Sequence, residues 1–152
     1  MKMCSIASGS SGNCIYIGTE ATHLLVDVGI SCKKTVEGLN QLGLKGQDID
    51  GILITHEHAD HINGLGVMSR KFGIPIYATP GTIKAIKGIK SLGAIDEELF
   101  HEVNADEKMI VKDITVNPMM QHSLWHIASS TAVVKWQWSQ TLEPMMNTQW
   151  RV

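Results

Sequence analysis

Residues 51–61 read Gly51-Ile52-Leu53-Ile54-Thr55-His56-Glu57-His58-Ala59-Asp60-His61. The apolar run at the start predicts a short buried strand over Ile52–Thr55. Three histidines and an aspartate then fall within six residues, directly at its end. Neutral imidazole and carboxylate are the ordinary ligands of Zn²⁺, and they also suit Mn²⁺ and Fe²⁺. In an extended segment His56 and His58, two apart, point to the same side and can grip one ion. Asp60 and His61 are adjacent, lie where the chain turns, and can reach a second. The pattern differs from HExxH, whose four-residue spacing places two histidines on one helix face. Two ions so placed can share a bridging water, lower its pKa into the neutral range and polarise the bond it attacks. The competing reading is a surface histidine cluster without metal. HxHxDH arises by chance in roughly one such chain in a thousand, so the spacing favours the metal.

The rest of the chain sets the bounds. A length of 152 residues is enough for one domain with a real core. Hydrophobic content of 43% with 18% charged residues fits a soluble globular protein. A net charge of −2 gives no global basic field to hold nucleic acid, although a local basic face stays open. No apolar run approaches a membrane span, and the segment Met1–Ser10 lacks the apolar length of a signal peptide. Cys4, Cys14 and Cys32 are odd in number with no CxxC pair, which predicts a reducing, cytoplasmic setting. Each cysteine reads as a small buried apolar residue rather than a ligand. The sequence leaves the oligomeric state open.

Around the histidine run the pattern predicts an α/β (α+β) layout with mixed sheets. Met3–Ala7, Cys14–Ile17, Leu24–Val28 and Ile74–Ala78 read as strands, and Ser8–Asn13 as a turn-rich loop. Ser31 predicts an N-cap for a helix through about Leu42, closed by Gly43. Ile62–Phe72 reads as one helix ending at Gly73. Pro80 opens another, with Ile83, Ile86 and Ile89 on one face and Lys84, Lys87 and Lys90 on the other. That lysine stripe reads as a solvated helix face rather than a phosphate track. Lys108–Val116 alternates weakly and predicts one or two strands.

With these residues in place, the chain resembles the metallo-β-lactamase-fold hydrolases. His56, His58, Asp60 and His61 match the HxHxDH signature residue by residue. Asp27, in Leu24-Leu25-Val26-Asp27-Val28-Gly29, matches the upstream aspartate that sits behind the metal site and orients it. Read alone, Asp27 would be a turn-former at a strand end; beside HxHxDH, support of the metal site is the stronger reading. The resemblance implies an αββα sandwich, of which this chain would form the N-terminal half. Histidine at 58, where the flavodiiron oxidoreductases of this fold tend to place glutamate, favours hydrolysis over redox chemistry. Residues 4–80 show a finer similarity to the bacterial WalJ/VicX/YycJ-type branch, through SGSSGNC, LLVDVG, ITHEHADHINGL and IPIYAT. That resemblance implies a cytoplasmic enzyme with two divalent ions, Zn or Mn, acting as a DNA exonuclease. His56 and His58 would hold the first metal, Asp60 and His61 the second, with Asp60 and His61 closest to the catalysis. A thioesterase or lactonase of the same fold is the alternative enzyme, because the same Lewis acid and nucleophile serve either substrate. A third reading is a non-catalytic fragment that binds metal weakly.

The resemblance also implies three further ligands, a histidine, a bridging aspartate and a last histidine, well beyond position 120. The tail does not supply them in family-like contexts. It is compositionally foreign: all 14 glycines lie at or before Gly93, while all four tryptophans (Trp125, Trp136, Trp138, Trp150) fall in the last 28 residues. The genetic code offers an explanation. Read one nucleotide earlier, Met120-Gln121 is forced to Asp-Ala and Met146-Asn147 to Asp-Glu. Trp136 and Trp138 become valine or methionine, and no stop is forced. Permitted choices elsewhere give an HD step and a TDLG step, which resemble the contexts of a missing histidine and of the bridging aspartate. The expected organisation is therefore 1–118 as the N-terminal part of the domain and 119–152 as an out-of-frame, non-native tail, with fewer or weaker metals in this chain.

Overall fold

The structure, a computed structural model, describes residues 1–104, 107–119, 124–129 and 132–136, with side chains through Asn117. Six strands form one mixed sheet in the order β1 (Lys2–Ala7), β2 (Cys14–Gly18), β3 (His23–Val26), β4 (Gly51–Leu53), β5 (Ile76–Ala78) and β6 (Phe100–Glu102). The first three are antiparallel neighbours; β3 to β6 run parallel. A second, antiparallel sheet has the order β10 (Ala132–Trp136), β9 (Leu124–Ser129), β8 (Ile114–Met119), β7 (Met109–Val111). The helices are α1 (Cys32–Gln41), α2 (Ala59–Ile62), α3 (Leu65–Phe72) and α4 (Pro80–Gly88).

The layering follows from the alternation of side chains along buried strands. Leu25, Ile52, Ile54 and Ile76 face one way and pack on Leu39, Leu65, Met68, Ile83 and Ile86 of the helices. Leu24, Val26 and Leu53 face the other way, with Ile15 and Ile17, onto Val111, Ile114 and Val116 of the second sheet. Helices, sheet and sheet make three layers of an αββα sandwich. No helix covers the outer face of the second sheet among the described residues.

Local chemistry accounts for most boundaries. The Ser31 hydroxyl caps α1 by accepting from Lys34 N–H, and Thr79 caps α4 with Pro80 in its first turn. Lys84, Lys87 and Lys90 are exposed, and Lys87 pairs with Glu97 over the Phe100 ring. The lysine stripe is a solvated face, with one member engaged within the chain.

Three boundaries differ from the sequence reading. The helix expected over Ile62–Phe72 is two helices, because the Gly64 N–H is taken by the Val28 carbonyl at 2.8 Å. The strand expected to reach Val28 stops at Val26, where Asp27 turns into the left-handed region at φ 59°. A strand over Phe100–Glu102 is not visible in the sequence and exists through pairing with β5. The Lys108–Val116 stretch resolves into β7 and β8, joined by a turn at Lys112, φ 52°. The expected boundary between 118 and 119 falls within β8, and β9 and β10 lie in the segment 119–152. The remainder of that segment lies outside the described residues.

Candidate metal centre

Asp27 follows β3, and Thr55 and His56 follow β4. Both strands run parallel, so their carboxyl ends share the edge where open α/β sheets place their sites. The left-handed turn at Asp27, tolerable for a short polar side chain, directs its carboxylate across the end of β4. There Oδ1 accepts the Thr55 N–H at 2.9 Å, Oδ2 accepts the Thr55 hydroxyl at 2.8 Å, and Oδ2 also meets His61 Nδ1 at 2.7 Å. Asp27 is 4% exposed and His61 1%, so this contact is out of water.

An ionised carboxylate only accepts, which places the His61 proton on Nδ1 and leaves the Nε2 lone pair for other partners. Nε2 stands 3.3 Å from Asp60 Oδ2 and 3.3 Å from Asn13 Nδ2. The same reasoning settles His56. The Thr55 hydroxyl proton goes to Asp27, so its oxygen accepts from His56 Nδ1–H at 3.0 Å. Half-buried, His56 has its pKa held below the usual imidazole range. Burial is the largest cause and the adjacent His61 the next; Asp27 opposes it, His58 adds to it, and Asp60 opposes. A neutral ring is the form that ligates a cation.

His56 also stands against the other two imidazoles. Its ring centroid is 3.9 Å from that of His61 and 4.6 Å, edge-on, from that of His58. His58 is exposed and precedes the first turn of α2, which carries Asp60 and His61. All four residues of the run gather at one place, with Asp27 beneath. His56 lies against both His58 and His61, and Asp60 against His61.

Do these residues fit a divalent cation? Two donors on one tetrahedral Zn²⁺, each about 2.0–2.1 Å from it, stand about 3.3 Å apart. The Asp60 Oδ2 to His61 Nε2 separation of 3.3 Å meets that requirement. Among the described residues no three His, Cys, Asp or Glu side chains are posed to hold one ion together. The donor chemistry and one ligand pair fit; the full shell is not assembled by these residues as they stand.

Two residues of this neighbourhood were not identified from the sequence. Thr55 joins Asp27 to His56, and Asn13 reaches Asp60 and His61 from the loop after β1. The Asn13 amide nitrogen donates to Asp60 Oδ2 at 3.3 Å and to the Asp60 carbonyl at 3.4 Å. Asn13 N–H donates to the same carbonyl at 2.7 Å, Gly29 N–H to the Asn13 carbonyl at 2.8 Å, and Val28 N–H to the His61 carbonyl at 2.8 Å. The three loops are thus tied through main-chain bonds. Gly29 permits the approach, since a Cβ there would lie 1.6 Å from the Asp60 carbonyl oxygen. In the sequence Asn13 ends a glycine-serine turn, and only tertiary pairing brings residue 13 to residue 60.

A helix–sheet–sheet stack with a buried Asp–His contact and a histidine cluster at the parallel strand ends is an α/β scaffold carrying a candidate metal site. The chain belongs to the metallo-β-lactamase superfamily, whose family model matches residues 7–134. It is 43% identical over 115 residues to the exodeoxyribonuclease WalJ of Streptococcus pneumoniae, covering 76% of this chain and 43% of that protein. It is 44% identical over 105 residues to the exodeoxyribonuclease YycJ of Bacillus anthracis, covering 69% and 36%. The chain therefore spans less than half the length of these relatives. Among solved structures, a metallo-β-lactamase of Cronobacter sakazakii superposes with a TM-score of 0.70 at 15% identity, covering 88% of this chain and 54% of that one. The Zn²⁺-bound PqqB of Methylobacterium extorquens superposes with a TM-score of 0.67 at 15% identity, covering 82% and 48%. These structural likenesses establish the fold. Family membership implies divalent-metal binding.

Proposed function

We propose that the chain carries the N-terminal part of a dinuclear metal-dependent hydrolase, a phosphodiesterase that degrades DNA from its ends. The observation that carries the reading is the gathering of His56, His58, Asp60 and His61 above the buried Asp27–His61 contact, in a chain similar to two exodeoxyribonucleases. In this reading His56 and His58 hold one ion and Asp60 and His61 the other, either Zn²⁺ or Mn²⁺. Bound cations supply Lewis acidity and a water of lowered pKa.

The chain's own residues do the rest. Asp27 holds the Nδ1 proton of His61 and so keeps Nε2 as a ligand. Thr55 passes the same constraint to His56. Asp60 contributes the carboxylate. His58 is exposed, so a DNA end can approach from that side. The three unpaired cysteines support a cytoplasmic setting.

Activity is tested on phosphodiester, thioester and lactone model substrates with Mn²⁺ and Zn²⁺. Metal-dependent phosphodiester turnover is the expected result; turnover confined to thioester or lactone would replace this reading with the other hydrolase. The out-of-frame reading of 119–152 belongs to the proposal, because the ligands that family resemblance requires are absent from residues 1–118. It is tested by sequencing the coding DNA past the end of the chain. An alternative open frame carrying an aspartate and a histidine is expected. If the present frame is the only open one, the frameshift reading is wrong.

A further inference from the structure

Asn13 is 4% exposed and spends every polar atom on the ligand loop or on the turns that support it. Its Oδ1 accepts Gly9 N–H at 3.1 Å, which fixes the amide plane and leaves Nδ2 as the inward donor. Nδ2, Asp60 Oδ2 and His61 Nε2 form a triangle with all three sides 3.3 Å. Two of these corners are donor atoms suited to a cation. They repel each other through their lone pairs when nothing positive lies between them. The amide hydrogens at the third corner offset that repulsion. We propose that Asn13 is a positioning residue, whose amide holds the Asp60 carboxylate and the His61 imidazole at ligand spacing before a cation arrives.

This inference rests on the metal reading above and deepens it. Two details separate it from a purely structural role. The backbone of Asn13 already ties the loops, through Asn13 N–H to the Asp60 carbonyl and Gly29 N–H to the Asn13 carbonyl, so the side chain is not needed for the main-chain junction. The amide also leaves Asp60 able to ligate, since a carboxylate oxygen accepts more than one partner. The His61 Nε2 lone pair is single, so that contact is the one a cation replaces.

The test uses the whole 152-residue chain and its Asn13→Ala and Asn13→Ser variants. Serine keeps a small polar side chain but lacks the amide nitrogen that meets Asp60 and His61. Zn²⁺ affinity is measured by chelator competition, and the His61 ring nitrogens are followed by NMR without metal. Both variants should keep the Nδ1–H resonance donated to Asp27, which reports a folded site. Both should show a displaced Nε2 resonance and lose about tenfold in Zn²⁺ affinity, the lower end of the range for residues that orient ligands. Unchanged affinity in a variant that retains the Nδ1–H signal would overturn the assignment of Asn13 alone. Absence of Zn²⁺ binding by the unaltered chain would overturn the metal reading and this inference with it. A variant that loses the Nδ1–H signal would show that Asn13 serves the fold, and would likewise overturn the positioning role.

Discussion

Asp27 governs the tautomers of two imidazoles through three short contacts. Asp27→Asn preserves shape but places an amide donor against His61 Nδ1, or opposes the Thr55 N–H if the amide flips. The first arrangement moves the proton to Nε2, where it blocks ligation. The substitution should lower Zn²⁺ affinity about 10- to 100-fold, measured by chelator competition; equal affinity would remove Asp27 from the account. Cys14 offers a second, independent prediction. Burial, then the Asp27 charge, push its thiol from the usual 9.0 up to about 12. The folded chain thus holds that proton more tightly than the unfolded chain. The resulting stability is complete below about 9 and is lost as pH rises through about 12. Urea midpoints should fall across that window, and Cys14→Ala should fall less steeply; identical slopes would contradict the buried thiol. The four closely spaced residues His56, His58, Asp60 and His61 and, upstream, Asp27 were legible in the sequence because short-range spacing and a recognisable motif expose them. Asn13 and Thr55 were not, since their significance lies in contacts across the fold.

At the scale of elements, the break between α2 and α3 shows how the site shapes its surroundings. The sequence supports a continuous helix there, but Val28 takes the Gly64 amide and Gly64 lies against Ile30. A Cβ at Gly64 would come within 2.0 Å of the Ile30 carbonyl oxygen. Gly64→Ala should therefore destabilise the chain by about 1–3 kcal/mol, read by urea denaturation. A neutral effect would mean that the β3–α1 loop and the ligand loop are not packed as described. The short apolar run Leu24-Leu25-Val26 made β3 legible as a strand, and Ser31 and Pro80 marked helix starts. The strand β6 stayed hidden because Phe100-His101-Glu102 is short and mostly exposed, and its conformation comes from the register Ile76↔Phe100.

For the whole molecule, the sandwich reading was correct because two apolar faces per buried strand demand a layer on each side. One apolar side chain of the second sheet, Ile110, is 70% exposed. In the proposed organisation, restoring the frame after about residue 118 supplies the covering layer. The 152-residue chain should then unfold broadly and associate in a concentration-dependent way, while the frame-restored chain unfolds sharply. A sharp, reversible, concentration-independent transition of the 152-residue chain would contradict that organisation. In the proposed function the histidine run holds divalent metal. The most direct test is elemental analysis of the purified chain after equilibrium dialysis against Zn²⁺ or Mn²⁺, beside a His56→Ala/His61→Ala double variant. The unaltered chain should retain metal, removable by chelation and lost in the double variant. Equal metal content in the two, or none in either, would contradict the proposed function.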